Sequence, residues 1–233
     1  MSTRNKLLES IVLALGGTVT NPNNRNQLLY DWLIAKGGVP PQTRYAYSFN
    51  SIDSYIDSGE ITLSGDFSVE CDIQTTQAVD FAICDGSKFN SLPTYALIYV
   101  DNPDGLQFLI KNPASGFDRY IFGGRSEITN GQVNNIKLSR VGSELRAYVN
   151  SVQIGSSANI GTDDVTLEGL WFGGSSRYMV GKGYNVKIND GSVYNFPIND
   201  RTFGVGAVIK NTGTGSDAVG VNLLESGWTE IPL

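Results

Sequence analysis

Residues 66–75 read DFSVECDIQT. Phe67, Val69, Cys71 and Ile73 alternate with Ser68, Glu70, Asp72 and Gln74. Successive side chains of a strand point to opposite faces, so this alternation over eight residues predicts a strand with one face in a core and one in water. Further runs of the same kind lie on either side: DFAICD (80–85), TYALIYV (94–100), LQFLIK (106–111), RYIFGG (119–124), NNIKLSR (134–140), ELRAYVNSVQIG (144–155), GLWFGG (169–174), YNVKIND (184–190) and SVYNFPI (192–198). Between them stand NPDG, NPASG, TNGQ, VGS and NDG, rich in residues that start turns or accept positive φ. Asn189-Asp190-Gly191 reads as a tight hairpin. Ten or more short strands without helices between them predict a mainly β chain folded as an antiparallel two-sheet jelly-roll sandwich.

The glycine-rich stretch GVGAVIKNTGTGSDAVGVN (204–222) is not a phosphate loop. Such a loop needs G-K-[ST], or G-x-G-x-x-G, leading into a helix. Gly204 and Gly206 are followed instead by β-branched and turn residues.

Composition bounds the function. The chain has 233 residues, 40% of them hydrophobic, which suits one sizeable β domain with a small appendage. Its net charge of −6 and the lack of a basic run argue against nucleic acid and anionic membrane surfaces. No apolar run approaches the roughly 20 residues of a membrane span. Arg4 and Lys6 precede an apolar stretch in the order of a secretory leader, but Glu9 interrupts it and Ile11–Leu15 is short, so no leader is expected. Histidine is absent, which removes the usual general base and any Ser-His-Asp arrangement. Two cysteines without histidine cannot build an ordinary zinc site, and Cys71 and Cys84 are expected as reduced, buried thiols.

The front end has a different period. Leu7, Leu8, Ile11, Val12 and Leu15 recur at helical spacing, with Gly16 as a stop. Asn21 and Pro22 suit the start of a second helix, Leu28, Leu29, Trp32 and Leu33 form its stripe, and Gly37 ends it. Residues 1–38 are therefore predicted as a helical hairpin, residues 39–44 as a linker and residues 45–233 as the jelly roll. Whether residues 191–233 complete the jelly roll or form a separate contact stays open. Two short helices are marginal alone, so Leu8, Ile11, Val12, Leu15, Leu28, Leu29, Trp32 and Leu33 are candidate docking residues for a second copy or another protein.

Three groups carry candidate chemistry. Glu70 and Asp72 share a strand face about 6.7 Å apart. Retaining glycosidases need two carboxyls about 5–5.5 Å apart, and here Gln74 fills the next place, where an amide cannot act as a general acid. Asp101, Asn102 and Asp104 cluster hard oxygens on one loop, a candidate calcium site that also reads as an ordinary Pro-Gly turn. Trp171 and Tyr178 are candidate platforms for a sugar ring, although most aromatics of a sandwich belong to its core.

The span YAYSFNSIDSYIDSGEITLSGDFSVECDIQT (45–75) resembles the start of laminin-G-like, concanavalin-A-like jelly rolls, with Tyr55-Ile56-Asp57 and Phe67-Ser68-Val69 in the places of that family's motifs. VNNIKLSRVGSELRAYVNSVQIGSS (133–157) is similar to the family's hairpin. Asn135 stands near its usual aromatic, and Ser151 replaces the usual glycine after Tyr148-Val149-Asn150. YMVGKGYNVKIND (178–190) looks like its closing strand. Some jelly-roll glycosidases of this kind carry E-x-D-x-E, from which ECDIQ departs at Gln74. The two ends, LLESIVLALGGTVTNPNNRNQLLYDWL and NTGTGSDAVGVNLLESGWTEIPL, resemble segments that flank such jelly rolls in tailed-phage structural proteins. The resemblance implies a non-enzymatic virion protein (a fibre, decoration or tail-associated component) made in the bacterial cytoplasm. Its helices would anchor it to other virion proteins or to its own kind, and its jelly roll would face host-surface glycan. No cofactor is expected beyond the candidate calcium. The alternative readings are a free-standing carbohydrate-binding module or lectin, and then a glycoside hydrolase.

Overall fold

The computed structural model describes residues 3–15, 19, 44–50, 53–85, 95–111, 114, 116–173, 177–198 and 207–231. The expected second helix, with Leu28, Leu29, Trp32 and Leu33, and linker residues 39–43 lie outside this set. The chain divides into two units, Met1–Thr43 with Pro232–Leu233, and Arg44–Ile231.

In the first unit, α1 (Thr3–Ala14) forms where the helical spacing placed it. Of its candidate docking residues, Val12 is buried, Leu8 and Ile11 are half-buried and Leu15 is exposed. Leu7 and Leu13 are exposed as well. Val12 is thus not available to a partner, which corrects the expectation for that residue.

The second unit is the expected sandwich. Its first sheet runs, edge to edge, β11 (Val152–Asn159), β10 (Glu144–Val149), β9 (Val133–Val141), β4 (Phe67–Thr75), β14 (Gly181–Ile188), β1 (Arg44–Phe49) and β18 (Trp228–Ile231). The second runs β16 (Ala207–Ile209), β17 (Ala218–Val221), β2 (Tyr55–Asp57), β13 (Leu170–Trp171), β5 (Phe81–Asp85), β6 (Tyr95–Asp101), β12 (Val165–Leu167) and β3 (Ile61–Leu63). From β6, the strands β7 (Gly105–Ile110) and β8 (Asp118–Gly123) extend this sheet sideways. The pairings are antiparallel except for β12 on β6. One helical turn, α2 (Arg125–Ile128), leads into β9.

Alternation sorts the side chains. Phe67, Val69, Cys71 and Ile73 of β4, Ile136 and Leu138 of β9 and Val186 and Ile188 of β14 face the core. Ile83, Cys84, Ile98, Val100, Phe108 and Trp171 belong to the same core and come from the second sheet. Each such side chain contributes about 1.5–3 kcal/mol by leaving water. β6 departs from the half-exposed pattern, since residues 95–100 are all buried. Ala96, Ile98 and Val100 join the main core, whereas Tyr95, Leu97 and Tyr99 join Ala82 and Leu109 in a second cluster on the sheet's other face. A strand covered on both faces reads as a continuous apolar run, as YALIYV does.

Both cysteines are free and buried, one on each sheet. Burial pushes both thiols well above their ordinary range.

The C-terminal segment completes the jelly roll. β15 (Tyr194–Pro197) pairs with Asn185–Ile188 of β14, on the edge that β1 shares through Gly181–Gly183. The Asn189–Gly191 turn makes the connection, as its sequence indicated. β16 and β17 form a hairpin that docks on β2, and β18 returns to pair with β1.

Candidate functional site

Register turns the outward face of the first sheet into a grid. One row crosses six strands, with Asn195, Lys187, Glu70, Lys137, Tyr148 and Gln153 each opposite the next. The adjacent row holds Asn185, Asp72 and Asn135. Lys187 Nζ donates to Glu70 Oε1 at 3.1 Å, and Lys137 Nζ lies 3.8 Å from Glu70 Oε2. Lys137 also donates to Asp190 Oδ1 at 2.6 Å, and Ser68 Oγ donates to that same oxygen at 3.2 Å. This bond holds the Lys137 ammonium above its usual range and the Asp190 carboxyl below its own. Asn135 Nδ2 donates to Glu70 Oε1 at 3.0 Å and to Asp72 Oδ1 at 2.7 Å, while Asn185 Nδ2 donates to Asp72 Oδ2. Opposite charges across a ladder stabilise it by only a few tenths of a kcal/mol each, so the network's main effect is to fix these groups in place.

Glu70, Asn135, Lys137, Ser139, Tyr148 and Ser151 line an open depression of about 540 Å³, a size that suits a small organic ligand. Its lip is the turn between β10 and β11. Asn150 (φ 51°) and Ser151 (φ 67°) both sit in the left-handed region, as a two-residue hairpin turn requires. Asn150 Oδ1 accepts the Asn135 N–H at 2.9 Å, and its amide donates to Asn134 Oδ1 at 2.9 Å, which ties the lip to β9. Further along β4, Gln74, Ser48 and Lys182 border a second depression of about 420 Å³.

The structure brings Glu70 and Asp72 together as their spacing indicated, but both Asp72 oxygens are taken up by asparagine amides. Gln74 donates to the Gly131 carbonyl at 2.8 Å and accepts from Tyr184 Oη at 2.7 Å. Lys137 and Ser139 carry no signal in the sequence, and Asn135, Tyr148 and Ser151 stand out there only as marks of the family's hairpin, not as site residues. Their outward orientation is implicit in the alternation of NNIKLSR and ELRAYV, but no local pattern says that this hairpin lies beside β4.

Trp171 is a correction. It is fully buried, its indole N–H donates to Ser58 Oγ at 2.9 Å, and it offers no ring face to a ligand. Phe172 is equally buried because its positive φ of 68° turns the chain and breaks the alternation. Tyr178 is half-buried, and its carbonyl accepts from Gln77 Nε2 at 3.1 Å.

The Asp101–Asp104 loop closes on a cation of the chain itself. Arg119 Nη2 lies 2.5 Å from Asp101 Oδ2 and 2.7 Å from Asp104 Oδ2. Arg119 Nε donates to Gln107 Oε1 at 2.7 Å, and Gln107 in turn donates to Asp101 at 3.2 Å. Asn102 uses its backbone N–H toward Asp80 and Asp101. Burial pushes the Asp101 carboxyl up, but hydrogen bonds to Asp80 and Asn102 and the Arg119 charge outweigh it and hold it below its usual range. Among the described residues, no group of three or more acidic or cysteine side chains is placed to hold a metal ion. Nor is any helix among them long and apolar enough to cross a membrane.

No protein-family model matches the sequence, and no curated protein matches it. Solved structures do match in fold. A Bacteroides ovatus protein described as carbohydrate binding superposes with a TM-score of 0.54 at 13% identity, over 84% of this chain and 62% of its own. The LG1–3 region of the laminin α2 chain gives 0.49 at 12% identity, over 64% and 27%. Domains LG4–5 of the mouse laminin α1 chain give 0.46 at 13%, over 62% and 42%. The chain thus spans under two thirds of the length of each of these neighbours. The likeness is one of fold alone, a mainly antiparallel two-sheet jelly roll.

Proposed function

We propose that this chain is a glycan-binding module that uses the outward face of its first sheet. The observation that carries this reading is the depression at Glu70, Lys137 and Tyr148, where a carboxylate, amide, ammonium and hydroxyls converge beside an aromatic ring. A sugar hydroxyl is both donor and acceptor, so a fixed array of alternating acceptors and donors complements neighbouring hydroxyls of one ring. Tyr148 supplies an apolar body with a polar tip. The fold likeness to a protein described as carbohydrate binding supports the same reading.

Binding is favoured over hydrolysis. Hydrolysis needs a carboxylic acid poised to protonate a leaving oxygen. Here Asp72 accepts from two asparagines, Glu70 faces two lysines and Gln74 is an amide. The test is a glycan array probed with the full chain and with Tyr148→Ala. Specific binding that drops at least tenfold in the variant, at unchanged melting temperature, is the expected result. An array with no bound glycan overturns the reading.

For residues 1–38 we propose attachment to a virus particle, to other virion proteins or to a second copy. The exposed Leu7 and Leu13 of α1, Leu15 just after it, and the resemblance of the two ends to phage segments support it. Deleting residues 1–38 is expected to abolish incorporation into particles while leaving the jelly roll folded. Unchanged incorporation would sink this assignment.

A further inference from the structure

We infer that the saccharide unit seated in the Glu70–Tyr148 depression is uncharged; this rests on the glycan reading above. The reason lies in how the charges around the depression are already paired. Lys187 is taken by Glu70, Lys137 by Asp190 with Glu70 nearby, and Arg146, opposite Ser139 on the next strand, by Glu144 at 2.7 Å. Among the described residues, each cation bordering the depression thus has a carboxylate partner.

Asp72 is the exception among the carboxylates. Its oxygens accept from the neutral amides of Asn135 and Asn185, and among the described residues no ammonium or guanidinium is paired with it. Four carboxylates (Glu70, Asp72, Glu144 and Asp190) therefore face three cations (Lys137, Lys187 and Arg146), which leaves one negative charge in excess. An anionic sugar would meet lysines whose charge is already balanced by carboxylates and would sit near Asp72, one hydrogen bond behind the lining Asn135. Like charges brought together in this way act as a filter against the wrong ligand. A neutral hexose meets no such barrier. The Ser139 and Ser151 hydroxyls and the unused N–H bonds of Lys137 remain to take up its hydroxyls, beside the Tyr148 hydroxyl that Arg146 also engages.

The experiment uses the full chain on an array of matched glycan pairs that differ by one terminal sialic acid or one sulfate. The expected result is that the uncharged member of a pair binds, and that the charged member is weaker by about tenfold or more. Glu70→Gln, which frees Lys187 from its carboxylate, is expected to narrow or reverse that preference. Asp190→Asn, on the exposed side of Lys137, is expected to shift it in the same direction. Melting temperatures of both variants establish that they are folded. A wild-type preference for the sialylated or sulfated member, lost in Lys137→Gln or Lys187→Gln, overturns the inference while leaving glycan binding intact. Binding to no glycan of either kind overturns the underlying reading and this inference with it.

Discussion

The indole of Trp228 stands edge-on to the ring of Tyr47, 5.3 Å between centroids at 72°. The two residues are also opposite each other in the β1–β18 register. Tyr47 continues the contact edge-on to Phe49, 4.9 Å between centroids, and its hydroxyl accepts the Leu224 N–H at 2.9 Å. The last strand is thereby locked onto the first strand of the jelly roll. Trp228→Ala is expected to cost about 3–5 kcal/mol, as for other large buried aromatics. The indole N–H has no hydrogen-bond acceptor among the described residues. Trp228→Phe removes that group and keeps most of the packing, so it is expected to stay within about 1 kcal/mol of wild type. Urea titration of both variants checks this; equal losses would contradict the packing account.

Arg140 is buried, and among the described residues no carboxylate forms an ion pair with it. Its Nε and Nη2 donate to the Gly65 carbonyl at 2.8 and 2.5 Å, its Nη1 donates to the Asp163 carbonyl at 2.7 Å, and its guanidinium lies 4.6 Å from the Phe67 ring centroid. It holds two loops of the sandwich at once. Arg140→Ala should therefore cost on the order of 3 kcal/mol, through lost charged hydrogen bonds and a cavity. Arg140→Lys should lie between, because an ammonium cannot reproduce the planar fork. A urea midpoint for Arg140→Ala indistinguishable from wild type would show the clamp to be idle.

How much of this was legible follows from which signals are local. The alternation at 67–75 located β4 and its two faces correctly, because period two is written into consecutive residues. The helical spacing at 7–15 located α1 for the same reason. The partnership of residues 44–49 with 228–231 was not legible, since pairing across the whole chain leaves no trace in either segment alone. Trp171 was misjudged because the left-handed Phe172 interrupts the alternation that would have assigned its face. Arg119 closes on the Asp101–Asp104 loop only because β7 and β8 fold back beside it. Likewise Glu70 and Asp72 looked like an isolated pair until register set Lys137, Asn135 and Lys187 against them.

Ser151 occupies a left-handed position that glycine tolerates without strain. A residue with a Cβ is disfavoured there by about 1–2 kcal/mol, and the greater chain entropy of glycine offsets part of the gain from replacing it. Ser151→Gly is expected to raise stability by about 0.5 kcal/mol and, with the hydroxyl gone from the depression, to weaken glycan binding. Thermal melts and array signals on one preparation test both. A variant that is less stable than wild type would refute the strain argument.

Calcium is the natural suspicion for the Asp101–Asp104 loop, and Arg119 bears on it directly. A guanidinium between the two carboxylates competes for the oxygens that a calcium ion would use. Millimolar calcium is therefore expected to leave the melting temperature of the wild-type chain unchanged, as is EDTA. A clear rise with calcium but not magnesium would mean that Arg119 yields to the ion, and the loop would then be a metal site.

The Lys137–Asp190 contact sets a pH window. The Asp190 carboxyl is held below its unfolded value by the Lys137 hydrogen bond, so its contribution is present above about pH 4 and fades as pH falls through the folded value. The Lys137 ammonium is held above its unfolded value by the same bond, so its contribution is present below about pH 10 and fades as pH rises through the folded value. Asp190 is largely exposed, with its side chain 74% accessible, and solvent screening keeps the effect small. The urea midpoints of wild type and Asp190→Asn should therefore differ by a small, constant amount from about pH 5 to pH 9, and converge on either side. Added salt should narrow the gap throughout that plateau. A difference that grows as the solution is acidified would show that Asp190 stabilises the sheet by some route other than its charge.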